Sequence, residues 1–200
     1  MAVTFSYLPL PSGKRIGVIG AGGGATVLAA DDCTNAGLFM PHLPIAIQDE
    51  LKSYLGKGGL GVGLSNPVDI SDQGWNTFCD CVKAVLDYNG IDLLIAHLPT
   101  NICTSSQIPG LVAIARDVVK AHEESRKPMA VVIEPVTFPE AWHAVLDCER
   151  ECCESNLPVY HSWRNAAKSI TRFLDYHERK KRIFEQEERL PIGKNDRKVR

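Results

Sequence analysis

The sequence predicts an α/β domain in which a doubly wound parallel sheet of five or six strands lies between two layers of helices, three layers in all. Three observations predict it. Short apolar bursts alternate with amphipathic segments along most of the 200 residues, the pattern of a parallel sheet whose crossovers are helices. One apolar run, Arg15 to Ile19, passes through Gly20-Ala-Gly-Gly-Gly24 straight into a helical pattern. Turn-forming clusters also follow later apolar segments, at Asn66-Pro67, His97 to Asn101 and Glu134-Pro135.

The elements follow in order. Strand one is Arg15 to Ile19, and its helix runs from about Ala25 to Asn35 with Val27, Leu28 and Ala36 offered to the inner face. Gly37 is a natural stop for it. Leu38 to Pro41 reads as a short second strand and Pro44 to Leu55 as the next helix. Gly56 to Gly63 is too rich in glycine for regular structure and reads as a loop. Asn66-Pro-Val-Asp-Ile70 leads to Asp72, the expected cap of a helix whose Trp75, Phe78, Val82, Val85 and Leu86 share one face.

Ile91 to Ala96 is the clearest buried strand, followed by the turn His97 to Asn101. A helix over Pro109 to Ser125, a strand Met129 to Ile133, a helix Pro139 to Ser155 and a short strand Leu157 to Tyr160 complete the alternation. The closing helix spans Ser162 to about Glu188. Its first half is amphipathic, whereas Glu178 to Arg189 is almost entirely charged and is expected to project, with Pro191 to Arg200 a disordered tail or linker. The expected organisation is an N-terminal extension over 1–12, the domain over 13–177, and a charged helical extension and tail over 178–200.

Composition removes several functions. With 44% hydrophobic and 23% charged residues and a net charge of −2, nothing favours a nucleic acid or an anionic membrane as partner. No leader pattern and no apolar run of membrane-spanning length occur, so a cytoplasmic protein is expected. The seven cysteines are expected as buried or half-buried free thiols. Cys148, Cys152 and Cys153 with His143 and His161 match no zinc spacing, and no metal is assigned.

In an open parallel sheet ligands bind beyond the C-terminal ends of the strands, where four loops qualify: Gly20 to Gly24, Asn66 to Asp69, His97 to Asn101, and Glu134 to Thr137. The glycine loop is an anion cradle, because backbone without side chains can approach a phosphate and the following helix presents unpaired N–H groups. Gly20, Gly22 and Ala25 satisfy the dinucleotide fingerprint G-x-G-x-x-A, but the acid that should hold a ribose at the end of the second strand is missing, and the first acid afterwards is Asp49. No phosphate-loop Gly-Lys-Ser/Thr and no G-x-S-x-G elbow are present. His97, next to a buried strand, is a candidate for phosphate contact or proton transfer, with packing as the plainer alternative.

The segments Ile16 to Asp31, Asn35 to Leu38, Asn66-Pro-Val-Asp-Ile70, Ile91 to Ile95, and Leu157 to Ser162 with Ala166-Ala167 together resemble the flavodoxin-like ligase domain of the NDP-forming acyl-CoA synthetases. That superfamily contains succinyl-CoA synthetase and ADP-forming acetyl-CoA synthetase. The resemblance covers about residues 13 to 177. It implies part of a ligase that joins a carboxylic acid to CoA using ATP or GTP with magnesium, through an acyl phosphate and a phosphohistidine. Within it, Gly20, Gly22, Gly23, Gly24 and Thr26 would grip phosphate, while Asn66, Asp69 and His97 would order the loops or touch substrate. The family usually has an asparagine at the head of its glycine triplet, which is absent here. So are the ATP-grasp module, the CoA-binding domain and the phosphohistidine context. The implied chain is inactive alone, binds no cofactor firmly, and works with CoA-binding, phosphohistidine-bearing and ATP-grasp partners in a homo- or hetero-oligomer. The alternative from another class is an interaction or regulatory domain that kept the fold; a dinucleotide-binding protein ranks behind both.

Overall fold

Five strands form one parallel sheet whose spatial order, counted along the chain, is second-first-third-fourth-fifth, the flavodoxin-like order. The computed structural model describes residues 1–55, 63–70, 76–98, 100, 108–136 and 139–189. In chain order the elements are α1 (Ala2–Tyr7), β1 (Ile16–Gly20), α2 (Gly23–Asn35), α3 (Ile45–Leu55), β2 (Val68–Asp69), α4 (Phe78–Asp87), β3 (Leu93–Leu98), α5 (Ile108–Glu124), β4 (Met129–Ile133), α6 (Trp142–Glu154), β5 (Val159–Tyr160) and α7 (Trp163–Arg189). A 3-10 turn, Pro139–Ala141, leads into α6.

Strand alternation divides the core in two. Ile19, Leu94, Ala96, Leu98, Met129, Val131 and Ile133 join the cluster built with α3, α4, α5 and α6. Ile16, Val18, Leu93, Ile95, Ala130 and Val132 point the other way, into the cluster with α2, α7 and Leu8. Both faces are covered, which is why the central strands are apolar at every position rather than at alternate ones. At the N-terminal end of the sheet Asp92 is buried and accepts from Ser12 Oγ at 2.7 Å, Arg15 N at 2.9 Å, Arg15 Nε at 3.0 Å and Arg15 Nη2 at 2.6 Å. The Arg15 guanidinium holds the Asp92 carboxyl down at about 2.

Several expectations need correction. Leu38 to Pro41 is not a strand: Phe39 makes a single bridge to Arg15, and the outer place in the sheet belongs to Val68–Asp69, paired with Ile19 and Gly20. The segment taken as a loop, Asn66 to Asp69, therefore contains β2. Helix α2 starts at Gly23 rather than Ala25, and Val27 and Leu28 face solvent at 61% and 58% exposure. Thr26, Ala29 and Cys33, spaced three and four apart, form its inner face, so the helix docks through small side chains rather than through its more apolar neighbours. Its end is as expected: Gly37 has φ +85°, Leu38 N donates to Cys33 O at 3.0 Å and Gly37 N to Thr34 O at 2.9 Å, which closes the helix with its last carbonyls satisfied.

Strand β3 runs to Leu98, so His97 belongs to the strand and not to a turn after it. α4 begins behind Thr77; Asp72, Trp75, the glycine loop over 56–62, the turn residues 99 and 101, Thr137 and the tail from 190 lie outside the described residues. Leu157-Pro158 precedes β5 instead of forming part of it. The N-terminal segment packs on the domain: Thr4 Oγ1 and Tyr160 Oη are 2.9 Å apart, and the Phe5 ring meets Phe173 edge-on at 5.0 Å. Cys33, Cys81, Cys148 and Cys152 are buried, while Cys153 is exposed on α6, contrary to expectation. Burial pushes the Cys33, Cys81 and Cys152 thiols up to about 12, which keeps them protonated and unreactive. Among the described residues no helix is long and apolar enough to cross a membrane, and no three His, Cys, Asp or Glu side chains gather as a metal site.

Candidate functional site

The glycines at the end of β1 and the start of α2 differ in what surrounds them. A Cβ on Gly20 would lie 2.8 Å from Cβ of His97 and 3.2 Å from its Nδ1, so Gly20 makes room for the histidine one strand away. Gly22 has φ +98°, where side chains are disfavoured, and it caps α2. Gly23 is the first residue of the helix, and a Cβ there would stand 3.4 Å from Asp69 Oδ2. A Cβ on Gly24 would meet nothing within 4 Å, so this position opens outward.

Asp69, at the end of β2, reaches across to the start of α2 and accepts from Gly22 N at 3.1 Å. A carboxylate at a helix N-terminus is favoured by the partial positive charge there. The N–H groups of Gly23, Gly24 and Ala25 belong to the first turn, which no helix can satisfy from within. N–H groups so placed can receive an anion, and here the Asp69 carboxylate already holds the neighbouring N–H of Gly22. Thr26 is buried at 5% exposure and its hydroxyl donates back to Gly23 O at 3.0 Å, so it braces the first turn.

The other predicted residues divide. His97 is fully buried in the same layer as α2, 5.5 Å between ring centroids from Trp163 at the start of α7. Its Nε2 lies 3.4 Å from Glu134 Oε2, just past β4, and neither ring nitrogen makes a hydrogen bond of standard geometry among the described residues. The histidine holds the Glu134 carboxyl below its usual range. Asn66 does not reach the cradle. Its side chain lies against β1: Oδ1 accepts from Val18 N at 3.0 Å, and Nδ2 donates to Ile16 O and to Pro41 O, both at 2.9 Å. The amide stands in for a strand residue between the Phe39 bridge and β2, joining two fragments to the outer edge of β1.

The structure therefore brings together Gly20, Gly22, Gly23, Gly24, Asp69 and His97 at the C-terminal edge of the sheet, and leaves Asn66 on its flank. Glu134 is the group to which the sequence reading attached no role. Its signal was an acid directly after a strand with five apolar residues in a row.

No protein-family model matches the chain. It is 30% identical over 127 residues to ADP-forming acetate–CoA ligase II subunit alpha of Pyrococcus furiosus, a match covering 62% of this chain and 26% of that relative. Among solved structures it resembles the dinucleotide-forming acetyl-coenzyme A synthetase 1 of Ca. Korarchaeum cryptofilum, solved with phosphate and ADP. The TM-score is 0.72 at 21% identity, over 92% of this chain and 37% of that one. A protein of Pyrococcus horikoshii OT3 aligns with TM-score 0.65 and 23% identity over 87% of this chain and 38% of that one. The chain thus spans well under half the length of each. The structural likenesses establish the fold, and the sequence match falls on the same kind of protein. Over this domain the chain is related to the NDP-forming acyl-CoA synthetases.

Proposed function

We propose that this chain is the phosphate-gripping domain or subunit of an NDP-forming acyl-CoA synthetase. In this reading the complete assembly joins a carboxylate to CoA at the expense of ATP or GTP with magnesium, by way of an acyl phosphate and a phosphohistidine. Partner domains supply the nucleotide site, the CoA site and the histidine, and the chain is inactive without them.

The observation that carries the reading is the start of α2. Gly23 and Gly24 present backbone N–H groups from an outward-opening turn at the ligand edge of the sheet, with Gly22 turned to φ +98° to admit it. Gly22, Gly23 and Gly24 are the proposed grip. Gly20 serves it indirectly by seating His97, and Thr26 by bracing the turn. Asp69 sets the loop against the start of the helix.

The test is to combine the protein with candidate ATP-grasp and CoA-binding subunits, ATP or GTP, CoA and a panel of acids, and to follow nucleoside diphosphate release. Gly24→Val places a side chain at the mouth of the cradle, where a Cβ meets nothing within 4 Å. It is expected to abolish turnover while the melting curve stays in place; full activity in this variant refutes the grip. The second reading, an interaction domain that kept the fold, is favoured by the Asp69 carboxylate already standing on Gly22 N. It predicts binding to those same subunits with no turnover in any combination.

A further inference from the structure

We propose that His97 and Glu134 form a proton-carrying wall behind the start of α2, so that an anion seated on Gly23 and Gly24 is bound together with a proton on the His97 ring. The inference rests on the cradle reading and adds to it the groups that hold charge behind the turn. In the parallel ladder Ile19 pairs with Ala96, which sets Gly20 beside His97. β3 sends Leu93 and Ile95 into the layer of α2 and α7, and by alternation His97 follows them. A Cβ on Gly20 would stand 3.2 Å from Nδ1 of the ring, and Gly20 opens the turn that leads to Gly23.

The ring is fully buried, and neither of its nitrogens makes a hydrogen bond of standard geometry among the described residues. Its Nε2 lies 3.4 Å from Glu134 Oε2, and Thr100 Oγ1 fixes the backbone at Glu134 by donating to its carbonyl at 2.7 Å. The other elements packed here bring little charge. α2 and α7 turn Thr26, Ala29 and Trp163 inward, and Asp69 stands on the cradle itself, accepting from Gly22 N. His161, past β5, is paired with Glu149 of α6 on the other face of the sheet.

A neutral imidazole leaves the Glu134 carboxylate as a net negative charge behind the turn, and a buried charge is poorly screened from an anion on the far side. With a proton on the ring the pair is neutral and the repulsion ends. Anion and proton therefore favour one another, and the coupling is the same in both directions. Histidine is the side chain suited to such an exchange near neutral pH. The ring already holds the Glu134 carboxyl in its ionised form, below its usual range, so the proton that moves is the one on the ring.

The experiment is an NMR titration of the whole chain with sulfate, whose charge is constant, at several pH values between about 5.5 and 8.5. The Gly23 and Gly24 amides report binding, and the His97 ring nitrogens report the proton. Affinity is expected to rise by up to about tenfold for each unit of falling pH, the slope of one proton taken up, with the ring moving toward imidazolium as sulfate is added. Glu134→Gln removes the standing negative charge and is expected to tighten binding at the alkaline end and move the slope to lower pH. His97→Gln is expected to bind at every pH as weakly as wild type does at the alkaline end. A merely structural role for either residue leaves the slope where it is. Should His97→Gln fail to fold by circular dichroism, the wild-type ring signals and Glu134→Gln decide. Binding without a slope, or a slope that persists in His97→Gln, overturns the proposal and leaves the cradle standing. No shift at the Gly23 and Gly24 amides at any pH overturns the cradle itself, and this inference with it.

Discussion

The Asp69 carboxylate accepts a hydrogen bond from Gly22 N at 3.1 Å, which ties the end of one strand to the start of the helix that follows its neighbour. β2 is only two residues long, and this bond extends its grip on β1 past the last ladder pair, Gly20 with Asp69. Removing the carboxylate by Asp69→Ala is expected to lower unfolding free energy by about 1 kcal/mol, the usual cost of losing an acceptor at a helix start. Urea denaturation measures it. Asp69→Asn, which keeps an acceptor oxygen, should recover part of the loss.

Two glycines of one loop should respond oppositely to the same change. Gly20→Ala forces a Cβ to within 2.8 Å of His97 Cβ and is expected to destabilise by about 1–3 kcal/mol, as overpacking of a filled site does. Gly24→Ala meets nothing within 4 Å and lies in a helix, where the exchange is expected to be neutral or to stabilise by up to about 1 kcal/mol. Thermal melts of the two variants side by side decide this, and equal losses would contradict the separate roles given to them.

Asn66→Ala removes one acceptor and two donors from groups on Val18, Ile16 and Pro41. Loss of about 2–4 kcal/mol is expected, since buried backbone partners are left unpaired. Asn66→Asp should be no better, because a carboxylate faces two carbonyl oxygens where an amide N–H₂ stood. Hydrogen exchange at the Val18 amide reports the site directly.

The Asp92 carboxyl, held at about 2 by Arg15 and Ser12, titrates below an unfolded-chain value near 3.8. A depressed pKa means that the unfolded state takes up its proton first as pH falls. The stabilisation is whole above about pH 4, declines between about 4 and 2, and is gone below; it amounts to about 2 kcal/mol. Asp92→Asn should lower stability at neutral pH and flatten that part of the profile. A denaturant midpoint measured against pH in both proteins tests the sign.

How much of this was legible in the sequence depends on the range of the forces involved. The buried central strands announce themselves because both faces are covered and every side chain is apolar; Met129–Ile133 coincides with its expected bounds. Helices α3 and α5 agree within a residue at each end, and Gly37 stops α2 as its φ of +85° requires. The misplacements share a different origin. Leu38 to Pro41 is apolar enough for a strand but loses the sheet edge to Val68–Asp69, a contest between segments about 30 residues apart that local pattern does not register. Val27 and Leu28 are expected inward by hydrophobicity alone, but the helix docks through Thr26, Ala29 and Cys33, which leaves them facing out.

The sequence by itself determined the class of fold and the glycine turn feeding a helix at the C-terminal edge of the sheet, because these rest on backbone freedom and apolar periodicity within a few residues. Only the tertiary structure decided what each residue of the site does. His97 sits over Gly20, Asp69 holds Gly22 N, and Asn66 is spent on the edge of β1. Those roles come from side chains meeting across parallel strands that the chain connects only through whole helices, and the geometry of such meetings is set by packing rather than by spacing along the sequence.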